Sequence, residues 1–201
     1  MLKNQRKKNI QVGGLLLAAG GSTRFGSPKQ LAEFQGKTLL KQAAEAICGS
    51  GCSPVVVVLG ASIEECKNEI EDLNLSIATN EQWQTGMASS IKTGLANLLK
   101  LEPDLDAVLI TLMDQPLVTA EHLALMVERF KKDRPPIIAT KYSDATGVPA
   151  LFHRELFAEL EKLAGEKGAR ELIRSRDDLV TVQLGNAGFD VDVQSDLLVG
   201  Q

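Results

Sequence analysis

The segment LAAGGSTRFGSPKQL, residues 17–31, decides how this chain folds and what it can bind. An apolar run over residues 12–19 ends in two glycines, and Arg24 and Lys29 follow. Glycines let backbone N–H groups approach anionic oxygens closely, and the two cations supply the charge that a polyphosphate requires. The pattern predicts a buried strand that leads into a phosphate-binding loop.

This loop matches neither of two widespread phosphate-binding motifs, because GxxxxGK[ST] is absent and the glycines do not follow the GxGxxG order. A plain glycine-rich turn with solvent-facing charges is the alternative interpretation. The combination of several glycines with Ser22, Arg24 and Lys29 favours phosphate binding. In nucleotidyl transfer, such groups offset the negative charge that develops on the α-phosphate and on the departing pyrophosphate.

Composition and charge narrow the functional classes. The 201 residues carry a net charge of −4, which argues against a nucleic-acid or membrane-surface binder, and 4% aromatic residues leave little for base stacking. No apolar run approaches the roughly 20 residues of a membrane span. We expect a cytoplasmic protein with a disordered basic tail over residues 1–11 and a single α/β domain over residues 12–201.

The cysteines and histidines form no recognisable metal or redox motif. Cys48, Cys52 and Cys66 are odd in number, and no second Cys/His pair completes the Cys48-x-x-x-Cys52 spacing. His122 and His153 are isolated. We predict reduced, structural cysteines and structural or surface histidines.

Strand and helix patterns alternate along the chain, which predicts one α/β domain with a mostly parallel, Rossmann-like sheet. The helical segments are residues 38–48, 88–100, 119–132, 154–163 and 168–174, together with a helix that Ser62 caps in a capping box with Glu65. The strand segments are residues 12–19, 55–59, 75–79, 107–113, 136–140, 148–152, 179–184 and 189–193. Ligands of such sheets bind beyond the carboxyl ends of the strands. The first loop, residues 80–90 and Asp114 all follow strands and are expected to share one cleft.

Carboxylates at strand ends predict a site for a hard cation. Asp114 directly follows a buried strand and can hold Mg²⁺, although a turn before Pro116 is the alternative. Alternation places Asp190 and Asp192 about 6.6–6.8 Å apart on one face of a strand, so that one or both join Asp114. A solvated edge strand is the alternative there. Asp196 is expected to cap a terminal helix.

Two further segments are candidates for substrate contact. In residues 80–90, Gly86 permits close approach of a base, the backbone up to Ser90 is expected to touch ligand, and Trp83 is expected to pack in the core. Residues 142–152 and 165–170 suit a second, anionic substrate, because Lys167 and Arg170 are cationic. Turns with solvated charges explain these last two segments equally well.

These segments, in this order, resemble the molybdenum-cofactor nucleotidyltransferase family, and most of all its cytidylyltransferase branch. The resemblance covers residues 12–198. It rests on LAAGxSxRFGxxKxL at residues 17–31, NxxWxxGMxSS at residues 80–90, DQP at residues 114–116, GxPxxF at residues 147–152 and GxxGAR at residues 165–170. Glu166 replaces the usual aspartate of the last motif, and Val193-Gln194-Ser195 replaces the usual Thr-Pro-Glu near the end. The first departure bears on the identity of the acceptor.

The resemblance implies a three-layer, glycosyltransferase-A-like nucleotidyltransferase fold and a Mg²⁺-dependent reaction. An acceptor phosphate attacks the α-phosphorus of an NTP in line, and pyrophosphate leaves without a protein general base. CTP and a molybdopterin-type acceptor are favoured, in a monomer or homodimer with a molybdoenzyme or chaperone as partner. The alternatives are a GTP-using relative, an enzyme with another phosphorylated acceptor such as a sugar phosphate, and a non-catalytic nucleotide- or cofactor-binding protein.

The resemblance also assigns roles to residues. The catalytic candidates are Arg24, Lys29 and Asp114, and the metal candidates are Asp114 and Asp192. The nucleotide-binding candidates are Leu17, Ala18, Ala19, Gly20, Gly21, Ser22, Arg24, Lys29, Asn80, Gly86, Met87, Ser90 and Asp114. The acceptor-binding candidates are Gln115, Gly147, Pro149, Lys167 and Arg170.

Overall fold

A seven-stranded sheet between two layers of helices forms the core of the computed structural model, which describes residues 9–22, 25–143, 145–184 and 189–198. The strands of this sheet are β1 (Val12–Ala18), β4 (Val55–Leu59), β5 (Ser76–Thr79), β6 (Ala107–Leu112), β7 (Ile137–Lys141), β8 (Thr146–His153) and β9 (Val180–Gln183). Strands β2 (Glu33–Phe34) and β3 (Lys37–Thr38) pair separately as an antiparallel ribbon. The helices are α1 (Leu39–Cys48), α2 (Ile63–Ile70), α3 (Met87–Leu101), α4 (Ala120–Asp133), α5 (Phe157–Lys162) and α6 (Arg170–Arg174).

The sheet order is β5-β4-β1-β6-β8-β7-β9, and only β8 runs antiparallel to its neighbours. Alternate residues of the strands face two apolar clusters. One cluster includes side chains of α1, α2 and α4, and the other includes side chains of α3, α5 and α6. Strands buried on both faces have continuous apolar runs. The predicted three-layer α/β fold with a mostly parallel sheet is therefore confirmed.

Strand β1 lies at the centre, with β4 and β6 parallel to it on either side. In this register Leu17 pairs with Val58 and with Leu112. Parallel strands end at the same edge of a sheet, so the segment after β1 and the segment after β6 emerge side by side. This register puts the glycine-rich loop next to Asp114.

The end of the described chain differs from the prediction. Residues 189–193 do not form a strand; Val191 is fully buried and its N–H donates to the carbonyl of Asp114 at 2.9 Å. The buried Val191 side chain and hydrogen bonds to neighbouring segments, rather than a strand ladder, anchor these residues across the end of β6. Asp196 accepts from the N–H groups of Asp192 and Val193 at 2.8 and 2.9 Å, and so stabilises the start of the 3₁₀ helix Gln194–Leu198 from inside its first turn.

Two helix predictions also need correction. Ser62 has a left-handed backbone (φ 50°) and its side chain makes no capping hydrogen bond, so the capping box with Glu65 is wrong. Its backbone carbonyl, however, accepts the first hydrogen bond of the helix, from Cys66 N–H at 3.1 Å. The predicted helix over residues 154–163 divides into a 3₁₀ turn, Arg154–Leu156, and α5. By contrast, Thr119 caps α4 as predicted, since its side chain accepts from His122 N–H.

Helix α3 packs closely on β1 and β4 at Gly94. A β-carbon added there would lie 2.1 Å from Leu15 Cδ1 and 2.9 Å from Val58 Cγ2, and Leu15 is fully buried. We expect Gly94→Ala to lower the free energy of unfolding by about 1–2 kcal/mol, because overpacking outweighs the gain in helix propensity. Urea denaturation measures this. Ala96→Gly, at an exposed position of the same helix, measures the effect of helix propensity alone. An increased free energy of unfolding in Gly94→Ala would contradict the packing argument.

The buried His122 predicts a dependence of stability on pH. Its Nε2 lies 2.9 Å from Thr140 Oγ1, which itself donates to the Pro149 carbonyl at 2.8 Å, so Nε2 carries the proton of a neutral ring. Burial lowers the pKa of His122 below its usual 6.5. As the pH falls below about 6.5, His122 therefore takes up a proton in the unfolded chain before it does so in the folded protein. The free energy of unfolding that is present above this pH is then lost. We expect His122→Gln to flatten the decline in unfolding free energy between pH 7 and 5; equal slopes would contradict this.

Candidate active site

A cleft of about 640 Å³ lies at the carboxyl ends of β1 and β6. It gathers all the described nucleotide-binding candidates except Asn80, and Asp192 as well. Its lining residues are Leu17, Ala18, Ala19, Gly20, Gly21, Ser22, Phe25, Lys29, Trp83, Gln84, Gly86, Met87, Ser90, Leu112, Met113, Asp114, Glu166 and Asp192. Arg24 lies outside the described residues. The expected convergence of the first loop, residues 80–90 and Asp114 is therefore present in the structure.

Lys29 joins three segments that are far apart in sequence. Its Nζ lies 2.9 Å from Asp114 Oδ2, donates to the Val191 carbonyl at 2.6 Å and lies 3.8 Å from Asp192 Oδ1. The Lys29 side chain is 11% exposed, whereas that of Asp192 is 66% exposed. The contact with Asp114 is therefore a partly desolvated ion pair, and the contact with Asp192 is a weaker one at the solvent edge.

Asp114 retains an unused acceptor. Its Oδ1 is buried and has no hydrogen-bond partner among the described residues. The described ranges contain no group of three or more His, Cys, Asp or Glu residues that could hold a metal ion. Mg²⁺ usually takes one or two carboxylates and completes its shell with water and substrate phosphates. The pair Asp114 and Asp192 fits such a cation, and a metal held by protein ligands alone does not fit.

Gln30 is a functional candidate that the sequence reasoning missed. Its side chain is fully buried, and its Nε2 donates to the carbonyls of Ala18 at 3.0 Å and Gly20 at 2.7 Å. Its Oε1 lies 3.4 Å from the Ser22 hydroxyl, which in turn accepts from Lys29 N–H at 3.1 Å. The partners of Gln30 are mainly backbone carbonyls, which have no signature in a sequence.

Trp83 forms one wall of the cleft and packs between two glycines. β-Carbons added at Gly21 and Gly60 would lie 2.4 Å and 2.7 Å from its indole ring. Trp83 is half-buried and packs against the apolar cluster under α3, as the sequence analysis expects, and it also lines the cleft. Only residues without a side chain permit this close approach of the glycine-rich loop to the ring.

Asn80 acts beneath the cleft rather than in its wall. Its Nδ2 donates to the hydroxyls of Ser89 at 2.8 Å and Ser90 at 3.0 Å, and its Oδ1 accepts from Gln82 N–H at 3.0 Å. These bonds hold the first turn of α3 against the segment that carries Trp83. Asn80 is thus placed to orient Ser90, which does line the cleft.

The acceptor-binding candidates do not line the cleft. Gly147 and Pro149 lie in β8, and Arg170 is an exposed residue at the start of α6. Lys167 is 75% exposed and forms an ion pair with Glu171. Of the two motifs that include these candidates, only Glu166 reaches the cleft.

Gln115 is buried behind Asp114 and connects it to the end of the described chain. Its Nε2 lies 3.0 Å from Asp190 Oδ1 and 3.2 Å from the Tyr142 hydroxyl, which donates to the Val148 carbonyl at 2.5 Å. Desolvation raises the pKa of Asp190, the hydrogen bond from Gln115 opposes this, and the charge of Asp114 adds to it. Asp190 therefore belongs to the hydrogen-bond network of Gln115, while Asp192 lines the cleft.

The three cysteines are free and lie outside the cleft lining. Burial raises the pKa of the Cys52 and Cys66 thiols to about 11, so both are protonated near neutral pH. These properties fit the predicted structural role.

With this geometry in view, comparison with known proteins gives a family. The model of the MobA-like NTP transferase domain matches residues 14–180. The chain belongs to this family. The resemblance stated from the motifs is thereby confirmed, and the chain is a nucleotidyltransferase of the MobA-like type.

Individual relatives of this MobA-like chain differ in their names. Nicotine blue oxidoreductase of Paenarthrobacter nicotinovorans is 30% identical over 191 residues, covering 90% of this chain and 92% of that protein. Bifunctional protein GlmU of Alkaliphilus oremlandii is 27% identical over 94% of this chain, which spans 40% of that protein. The crystal structure of Rv0371c from Mycobacterium tuberculosis H37Rv superposes with a TM-score of 0.83 at 26% identity, covering 94% of this chain and 97% of that one. Rv0371c is also known in complex with manganese, at a TM-score of 0.77 and 24% identity over 94% and 97% of the two chains.

The comparisons support a nucleotide substrate for this MobA-like domain and leave its base and acceptor open. No helix within the described ranges is long and apolar enough to cross a membrane.

The packing of Trp83 predicts an optical signature of the glycine-rich loop. The chain has one tryptophan, so its fluorescence reports on this site alone. We expect Gly21→Ala to displace the indole, shift its emission to longer wavelength and increase quenching by iodide, because the added methyl would overlap the ring. Gly20→Ala is the matched control, since an added β-carbon there has no neighbour within 4 Å. An emission shift of equal size in both variants would refute the contact.

Proposed function

We propose that this protein transfers CMP from CTP to a molybdopterin-type molybdenum cofactor, with Mg²⁺, and releases pyrophosphate. The observation that carries the proposal is one cleft that combines the glycine-rich loop, Lys29 and the carboxylates of Asp114 and Asp192. The motifs of the cytidylyltransferase branch, quoted above, favour CTP and this acceptor. A molybdoenzyme or a chaperone would be its protein partner.

Charge in the cleft supports the dependence on a cation. Among the described lining residues, Lys29 is the single cation, whereas Asp114, Asp192 and Glu166 are three carboxylates of the same lining. A triphosphate needs more positive charge than this arrangement supplies. Asp114 and Asp192 would hold Mg²⁺, which would neutralise phosphate charge. The relation to Rv0371c, known with manganese, agrees with a divalent cation.

The remaining proposed roles rest on the motifs and on the lining of the cleft. Lys29 and Arg24 would bind the phosphates and stabilise the charge of the departing pyrophosphate. The backbone of residues 17–22 would line the nucleotide, and Gly86 and Ser90 would lie near the base. The acceptor phosphate is anionic near neutral pH, so positioning and charge stabilisation suffice without a general base.

Two outcomes compete with CTP and the molybdenum cofactor. A GTP-using enzyme, or one with a sugar-phosphate acceptor as the relation to GlmU suggests, would use the same cleft. A redox function is a second candidate, because a relative at 30% identity is named an oxidoreductase. Oxidation of NADH or NADPH by the purified protein, with a dye as electron acceptor, tests that candidate directly.

The deciding experiment measures pyrophosphate release by the purified protein with Mg²⁺ and a molybdopterin-type cofactor, comparing CTP with GTP, ATP and UTP. Release with CTP alone supports the proposal. Release with another NTP retains the reaction and changes the base. No release with any of the four, despite NTP binding, rejects this acceptor or catalysis itself.

Asp114→Asn tests the cation site within this reaction. We expect turnover to fall about 100- to 1,000-fold while the protein still folds, because a carboxylate that would hold the metal is lost. Asp104→Asn makes the same chemical change before the opposite end of β6 and should leave turnover within a few-fold of the wild type. A fully active Asp114→Asn would remove Asp114 from the mechanism.

A further inference from the structure

We propose that Gln30 is a positioning residue that orients the glycine-rich loop for phosphate binding, an inference that rests on the proposed nucleotidyltransferase function. Gln30 is fully buried and is not one of the residues that line the cleft. It would act through the backbone of the loop that does line the cleft.

The amide of Gln30 holds two carbonyls of this loop. Both N–H groups of Nε2 are used, one on Ala18 O at 3.0 Å and one on Gly20 O at 2.7 Å. The carbonyl between them, that of Ala19, is held separately by Ala61 N–H at 3.2 Å. Three successive carbonyls at the end of β1 are therefore fixed by donors outside the strand.

Fixed carbonyls set the direction of the N–H groups. In a trans peptide the N–H points opposite to the C=O of the same unit. The cis peptides in the described ranges are Ser53-Pro54 and Val148-Pro149, so the Gly20-Gly21 peptide is trans. With Gly20 O directed at Gln30, the Gly21 N–H points to the other side of the loop.

That other side is the cleft. Gly20 and Gly21 both line it, and Gln30 does not. Gln30 lines a smaller cavity on the opposite side of the loop, which Gly21 also borders. Among the described residues, no group accepts from the N–H of Gly20 or of Gly21. Two unpaired N–H groups in a polyphosphate cleft are donors for an anion.

Gln30 also links the loop to the charged part of the site. It is the middle residue of the 3₁₀ turn Lys29–Leu31, and the Ser22 hydroxyl contacts both Gln30 Oε1 and Lys29 N. A single short turn therefore carries both the side chain that orients the backbone N–H donors, Gln30, and the ammonium group of the site, Lys29. A neutral amide suits this position, because a carboxylate could not donate to the two carbonyls.

The test is the binding of inorganic pyrophosphate in the presence of Mg²⁺, measured by isothermal titration calorimetry. Pyrophosphate carries no nucleobase, so the result does not depend on which NTP the protein uses. We expect Gln30→Met, which keeps the volume and removes both donors, to weaken pyrophosphate about 10- to 100-fold, as for the loss of charge-assisted hydrogen bonds. Leu160→Ala, a substitution of a fully buried residue in α5, controls for a general loss of stability. The folded fraction of this variant should bind pyrophosphate with the affinity of the wild type.

Amide NMR of the wild type gives a signature that a purely structural role would not produce. We expect the Gly20 and Gly21 amide protons to move downfield on saturation with pyrophosphate, and this shift to be lost in Gln30→Met. The wild-type spectrum keeps the proposal open to refutation even if the variant does not fold, because the absence of the shift would contradict it.

Three results would overturn the proposal. Unweakened pyrophosphate binding by folded Gln30→Met shows that Gln30 is dispensable. Binding without a shift of the two amides shows that the loop donors are unused. Failure of the wild type itself to bind pyrophosphate rejects the proposed function as well, and this outcome is distinct from the first two.

Discussion

The contact between the Lys29 ammonium group, the Asp114 carboxylate and the Val191 carbonyl is the interaction on which the site depends. It joins residues separated by 85 and 162 positions in the chain and is mostly shielded from water. A shielded charge without its partner is costly, so each of these groups constrains the others. The end of β1, the end of β6 and the terminal segment are thereby held as one wall of the cleft.

The sheet makes this contact possible. Parallel pairing of β1 with β6 brings the glycine-rich loop and Asp114 to the same edge, and close helix packing at Gly94 holds α3 beside them. Helix α3 in turn begins at the Gly86 segment that forms the facing wall. The two walls enclose a cleft of about 640 Å³, and the Lys29 ammonium group and the carboxylates of Asp114 and Asp192 lie in it together.

Sequence reasoning succeeded where the signal is local and failed where a residue depends on a distant partner. The apolar runs of the β1, β4 and β6 strands are buried on both faces, so their composition reveals them directly. Polar and apolar residues alternate over residues 189–193 as in a strand. The structure buries Val191 and bonds it to the Asp114 carbonyl, but the segment does not pair with the sheet. Serine is a common N-cap residue, but the backbone of Ser62 is left-handed and its side chain makes no capping hydrogen bond. Lys167 and Arg170 lie outside the cleft lining, and their contact with an acceptor stays a prediction.

The sequence is sufficient to establish the α/β class and the order of most strands and helices along the chain, and it predicts phosphate binding by residues 17–31. These are properties of neighbouring residues, whose periodicity and chemistry are visible without a fold. The fold was needed to show that Asp192 rather than Asp190 lines the cleft, that Trp83 packs on Gly21, and that Gln30 binds the loop carbonyls. Each of these depends on a contact between distant segments, and such contacts are set by the sheet register and by burial.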